Sequence, residues 1–135
     1  MLFALLTACT PGGVAPSTGG SASTATIDIN LTLDPGGYAP DTITIPVGST
    51  IRFRNSDGFA HTASVLKGLS TFPASSPLTA AAQTQSGTAI SQTWSTGNLA
   101  AGAVSQTILI DQPGTYLYAC FYHYGAPMHG TIVAQ

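Results

Sequence analysis

From Thr26 onward, apolar and polar residues alternate with a period of two, the pattern of strands that bury one face. Ile27, Ile29, Leu31 and Leu33 alternate with Asp28, Asn30 and Thr32, and stop at Asp34-Pro35-Gly36-Gly37, a turn sequence. Ile43 and Ile45 alternate with Thr42 and Thr44 ahead of Pro46 and Gly48. Ile51 and Phe53 alternate with Arg52 and Arg54 as far as Asn55-Ser56-Asp57-Gly58. Ile108 and Ile110 lead into Asp111-Gln112-Pro113-Gly114. Tyr116, Tyr118 and Cys120 then share one face of the next strand, and Thr131-Ile132-Val133 supplies the last. Short β-branched strands between Gly/Pro turns predict an all-β fold, an antiparallel sandwich. One stretch breaks the pattern. Residues 67–102 hold Ser, Thr, Ala and Gln without a firm period and form one long irregular segment. Within it, Thr79–Gln83 is expected to make a helical turn and Gln92-Thr93-Trp94 a short strand. A connection of this length is functional or is not a plain loop. Trp94 is assigned to the core.

The start of the chain reads differently. Residues 1–8, MLFALLTA, are an unbroken apolar run ending at Cys9. A bilayer span takes about 20 residues, so the run is a short secretory h-region, and it lacks a basic flank. Leu6-Thr7-Ala8-Cys9 resembles the lipobox of bacterial lipoproteins, in which the Cys after the cleaved signal carries lipid. The stretch up to residue 25 is almost wholly Gly, Ser, Thr, Pro and Ala without charge, the composition of a flexible tether. The expected organisation is a signal-peptide remnant (1–8), a lipidated Cys9 with its tether (9–25) and a folded domain (26–135). The other reading of the run is a shortened ordinary signal peptide. Both place the domain outside the cytoplasm, in the periplasm or, with a lipid anchor at Cys9, on the outer face of the cell membrane.

Charge then narrows the function. The 135 residues include 3 Lys+Arg and 5 Asp+Glu, so 6% are charged, against about 25% in ordinary soluble domains. Every acid is an Asp. Three scattered cations cannot neutralise a run of phosphates, which excludes electrostatic nucleic-acid binding and attachment to an anionic membrane. The chemistry has to come from few side chains.

The informative ones lie in Cys120-Phe121-Tyr122-His123-Tyr124-Gly125-Ala126-Pro127-Met128, a Cys-x2-His-x4-Met loop at the end of a strand. Thiolate, imidazole and thioether are ligands that copper prefers, and a trigonal site needs a second His, which His61 can supply. Two His and one Cys with a weak axial Met make the ligand set of a blue-copper centre. Taken singly, each residue has a plainer reading. Cys120 is a buried thiol or the partner of Cys9, His61 a turn histidine, and Met128 core filling. His129, next to Met128, is read as a surface position; an extra ligand or a pH sensor is the other reading. No Ser-His-Asp elbow, phosphate loop or paired carboxylates mark an enzyme. Three His are too few for a multicopper oxidase.

With these residues in view, the chain resembles the cupredoxins of plastocyanin and pseudoazurin type. Tyr38-Ala39-Pro40 through Ile43-Thr44-Ile45-Pro46-Val47-Gly48 is similar to their N-terminal strand signature. Ile51-Arg52-Phe53-Arg54-Asn55 followed by His61 resembles the first-ligand segment. Gly114-Thr115-Tyr116-Leu117-Tyr118 leading to Cys120, and Met128-His129-Gly130-Thr131-Ile132-Val133, resemble the last two strands. The resemblance implies a Greek-key β-sandwich, one type 1 copper ion, and His61, Cys120, His123 and Met128 as its ligands. It also implies a monomeric, non-enzymatic carrier of single electrons between extracytoplasmic redox partners. These would dock near His123 on a small apolar patch of Gly125, Ala126 and Pro127 with Phe59 and Ala60. The alternative is a copper protein for storage, delivery or resistance, but Met1 and Met128 are the only methionines, fewer than such sites use. Three features depart from the family pattern. Thr62 follows the first ligand where Asn is common, Ala119 precedes Cys120 where plastocyanins carry a docking Tyr, and residues 67–102 are longer than in compact plastocyanins.

Overall fold

Residues 20–33 and 36–135 are described by a computed structural model. The run 1–8, Cys9, the tether up to residue 19 and the pair Asp34-Pro35 lie outside the described residues. The strands, in chain order, are β1 (Thr24–Ile29), β2 (Tyr38–Ala39), β3 (Thr42–Ile45), β4 (Thr50–Asn55), β5 (Ser64–Val65), β6 (Gln85–Ser86), β7 (Ser95–Thr96), β8 (Ile108–Leu109), β9 (Gly114–Ala119) and β10 (His129–Ala134). They form a four-stranded sheet in the order β2-β1-β4-β8 and a six-stranded sheet in the order β3-β10-β9-β5-β7-β6. The all-β sandwich is as expected, but both sheets are mixed rather than wholly antiparallel: β1 runs parallel to β4, and β3 parallel to β10. β1 begins at Thr24, two residues inside the stretch expected to be tether.

Alternation decides which side chains meet. In the β1–β4 pair, Ile27 lies opposite Phe53 on the inner face, while Asp28 lies opposite Arg54. There the Arg54 Nε donates to Asp28 Oδ1 at 2.7 Å on the solvent side. Between the sheets, Tyr38, Phe53, Trp94 and Tyr118 nest among isoleucines. The Tyr38 and Phe53 ring centroids stand 4.8 and 5.3 Å from that of Tyr118, and Trp94 stacks on Phe53 at 5.8 Å. Gly130 is required by this nest, because a Cβ there would stand 2.1 Å from the Tyr118 ring.

The irregular segment is part of the sandwich. Its expected helical turn forms at Ala80–Gln83 as 3-10 helix. The expected strand forms one residue later than Trp94, at Ser95–Thr96, and pairs with β6 and β5 to extend the larger sheet. Phe72 and Leu78 of the segment pack on Leu66, Leu117, Ala119 and Tyr124 in a second small core, while Ile90 and Leu99 enter the main one. No period appears because hydroxyls bond to the backbone in place of a regular ladder. Thr96 Oγ1 accepts the Ala63 N–H at 2.9 Å, and Ser95 Oγ donates to the Ala82 carbonyl at 2.6 Å.

The two ends of the sandwich differ. β1, β4 and β9 finish at one pole, where β10 begins. At the opposite pole Thr24 pairs with Thr50 and Gly114 with Ala134, and the Val47 N–H donates to the Gln135 carbonyl at 3.0 Å. Gly20 is also there, against Pro46.

Candidate metal centre

The site forms at the first pole, where two chain segments leave strands that end side by side. After β4, Asn55 shapes the turn. Its Nδ2 donates to the Phe59 carbonyl at 2.7 Å and the Leu99 carbonyl at 2.8 Å, and its Oδ1 accepts the Asp57 N–H at 2.9 Å. His61 follows and exchanges both backbone hydrogen bonds with Leu99, at 3.1 and 2.8 Å. The imidazole is fully buried. After β9, Cys120 is fully buried as well, and its N–H donates to the Met128 carbonyl at 3.1 Å. The Met128 N–H in turn donates to the His123 carbonyl at 3.1 Å, so one tight loop carries all three residues.

These segments bring the predicted donors together. Cys120 Sγ stands 3.8 Å from His61 Nδ1 and 3.7 Å from His123 Nδ1. The three ligand atoms all lie within 4.8 Å of one another. Two donors in a trigonal plane, at metal bonds of about 2.0–2.3 Å, are separated by about 3.7 Å. The two sulfur–nitrogen spacings are those of donors around one ion, and the donor set of thiolate and two imidazoles suits copper. Met128 is buried beside them. Gly37, at φ +74°, lies against its thioether: a Cβ there would be 3.1 Å from Met128 Cγ and 3.4 Å from Sδ.

A second layer of groups holds the donors. The Thr62 N–H points at Cys120 Sγ at 3.5 Å, and Thr62 Oγ1 accepts the Phe121 N–H at 2.8 Å. The hydroxyl therefore joins the first-ligand segment to the Cys-bearing loop. The Thr62 carbonyl accepts the Tyr38 hydroxyl at 2.6 Å. The long segment braces the same loop. Besides Leu99 on His61, Tyr122 donates to Asn98 Oδ1 at 2.7 Å and Tyr124 to the Pro73 carbonyl at 2.6 Å. The sequence offered no role for residues 67–102, and this bracing is one.

Sequence reasoning did not single out Asp57, which the structure places against the site. Its Oδ2 lies 2.9 Å from His61 Nε2. The Leu31 N–H first, and then His61, hold its carboxyl below the usual range. The only signal in the sequence was an Asp four residues before the His within one turn. Burial, with His61 nearby, lowers the pKa of His123, and Asp57 opposes that shift. His129 stands outside the donor group. Its ring stacks on Phe72 at 4.3 Å and 11°, with Tyr124 also at 4.3 Å. Burial lowers its pKa, against a hydrogen bond to the Tyr124 backbone. Among the described residues Cys120 is a free thiol.

The comparisons with known proteins agree with this geometry. No curated protein matches the chain. Among solved structures, a purple cupredoxin from Nitrosopumilus maritimus superimposes with a TM-score of 0.55 at 19% identity, covering 82% of this chain and 99% of its own. An auracyanin from Roseiflexus castenholzii gives 0.56 at 21%, covering 86% and 99%. A copper-containing nitrite reductase from Thermus scotoductus gives 0.56 at 22%, covering 83% of this chain but 22% of the enzyme's. At such identities the likeness is one of fold. Residues 26–135, however, match the family described as copper binding proteins of the plastocyanin/azurin family. Together with a donor set of type 1 arrangement, this match makes the chain a member of that copper-binding family.

Proposed function

We propose that the protein is a type 1 copper electron carrier that passes single electrons between extracytoplasmic redox partners, with His61, Cys120, His123 and Met128 as the ligands. The observation that carries the reading is the graded exposure of these four. His61, Cys120 and Met128 are buried, at 0, 0 and 1% exposure, while His123 is half-buried and its loop continues into exposed Gly125, Ala126 and Pro127. Copper held there supplies a one-electron Cu(II)/Cu(I) couple. The residues of the chain do the rest. Cys120 offers the thiolate, the Thr62 N–H bonds its sulfur, and the two imidazoles present Nδ1 from opposite segments. Because backbone hydrogen bonds fix each donor, oxidation and reduction require little movement. The burial of His61, Cys120 and Met128 favours a carrier over an enzyme.

Phe59, 70% exposed, and Ala60 on the neighbouring segment extend the apolar surface. With 3 Lys+Arg and 5 Asp+Glu in the chain, docking relies on this surface rather than on charge steering. The Leu6-Thr7-Ala8-Cys9 motif supports a lipid anchor and a site outside the cytoplasm. A monomer is the working state. The test is the visible spectrum after Cu(II) is added to the purified domain. An intense blue band bleached by ascorbate is expected. A colourless protein that holds Cu(I) and resists oxidation would replace this reading with copper storage or delivery.

A further inference from the structure

Asp57 lies outside the ligand set, yet it is built into the site. We propose that Asp57 is a positioning residue for His61: it fixes the ring tautomer that presents Nδ1 to the metal, and its charge favours the oxidised state of the centre. The second half rests on the carrier reading above; the first does not.

The geometry argues for it in three steps. A carboxylate only accepts hydrogen bonds, so the 2.9 Å contact of Asp57 Oδ2 with His61 Nε2 puts the ring proton on Nε2. Nδ1, which faces Cys120 Sγ at 3.8 Å, is then left with its lone pair. The partner of one ring nitrogen sets the role of the other, and carboxylate–histidine–metal triads orient and strengthen the ligand in this way. Second, the contact is shielded and rigid. The His61 side chain is 0% exposed and that of Asp57 13%. Oδ2 also accepts the Leu31 N–H at 3.0 Å, Oδ1 accepts the Gly58 N–H at 2.7 Å, and the Asp57 N–H is held by Asn55 Oδ1. Leu31 follows β1, so the hairpin beside the first-ligand segment fixes the carboxylate from a second direction.

Third, none of the three Lys and Arg side chains pairs with this carboxylate. Arg54 is paired with Asp28, Arg52 donates to Thr26 Oγ1, and Lys67 to the Ser91 carbonyl. A Cu(II) ion with the Cys120 thiolate carries a net charge of +1 and a Cu(I) ion with it carries none. A fixed anion one imidazole away therefore stabilises the oxidised form more than the reduced one.

Two variants separate position from charge. Asp57→Asn keeps a carbonyl oxygen for the ring but removes the charge, and Asp57→Ala removes both. In the copper-loaded protein, potentiometric titration of the visible band should show the Cu(I)/Cu(II) ratio at a fixed potential rising about tenfold in Asp57→Asn, a shift of about 59 mV for one electron. In Asp57→Ala, Cu(II) affinity should also fall by about 10–100-fold. In the metal-free protein, 15N NMR of His61 should report the Nε2–H form in the native chain and a mixture of tautomers in Asp57→Ala. An unchanged tautomer in Asp57→Ala would overturn the positioning role. A ratio within twofold of the native one in Asp57→Asn, with native-like thermal unfolding, would overturn the charge role. A native chain that takes up copper without a blue band would defeat the carrier reading and, with it, the charge role. The tautomer measurement would still decide the positioning role.

Discussion

Replacing Thr62 with Val removes one hydroxyl from the joint between the two ligand segments and keeps the side-chain volume. In the native chain Oγ1 accepts the Phe121 N–H at 2.8 Å, and Thr62 is fully buried. In the variant that N–H faces a methyl group. Leaving a buried donor without its partner costs about 1–3 kcal/mol. Phe121 is half-buried, so water can reach part of its backbone and the lower end of the range applies, about 1 kcal/mol. Small domains lose about 1–3 kcal/mol of stability per molar urea. The midpoint of urea unfolding of the metal-free protein should therefore fall by about 0.5 M, taking the middle of that range. A site-specific measurement accompanies it. The Phe121 amide should exchange with solvent faster in Thr62→Val, while amides in the middle of β9 keep their protection relative to global stability. An unchanged midpoint together with unchanged exchange at Phe121 would refute the view that this hydroxyl ties the loop to the first-ligand segment.

Other perturbations reach other parts of the argument. Cys120→Ser should abolish the blue band on adding Cu(II) while circular dichroism still shows the β-fold, and a blue variant would refute the thiolate assignment. Gly130→Ala places a Cβ 2.1 Å from the Tyr118 ring, which is fully buried. It should destabilise the fold by about 1–3 kcal/mol or more, read as a lower thermal midpoint. His129 has its pKa pushed below the ordinary 6.5 by burial. The unfolded chain then takes up its proton first, so stability is full above that value and is lost as the pH falls through it. His129→Phe keeps a ring against Phe72 without a titrating group. Between pH 6.5 and the ordinary carboxylate value of 3.8, urea midpoints of its metal-free form should fall less steeply than those of the native protein.

What the alternation revealed was burial, residue by residue. Ile27, Ile29, Ile51, Phe53 and Tyr118 are each fully buried, as their spacing required. It was silent on direction, because a period of two is the same whichever way the neighbouring strand runs. The parallel β1–β4 and β3–β10 pairs were hidden for that reason. The alternation also ran past its strand. Leu31 and Leu33 continue the period, yet β1 stops at Ile29 because Asn30 turns the chain, its Oδ1 accepting the Thr32 N–H at 2.9 Å. In the site, Cys120, His123 and Met128 were readable because one loop carries them. His61 was readable from the ligand count that copper demands. Asp57 was not, since its role depends on the Leu31 N–H and the His61 ring arriving from separate directions. The bracing by residues 67–102 was hidden likewise, because it runs through the Leu99 backbone and the hydroxyls of Tyr122 and Tyr124 rather than through a motif.

The separation of the poles has a practical side. Gly20 and Gln135 both lie at the end of the sandwich away from His123, with the six residues of β4, about 20 Å of strand, in between. A domain held on gold or resin by a group attached at Gly20 or at Gln135 turns its copper end outward. Phe59 and Pro127 then face the solution. Either attachment leaves the pole that carries His123 open to whatever protein is flowed across it, so orientation on a sensor surface comes with the topology and needs no engineered cysteine.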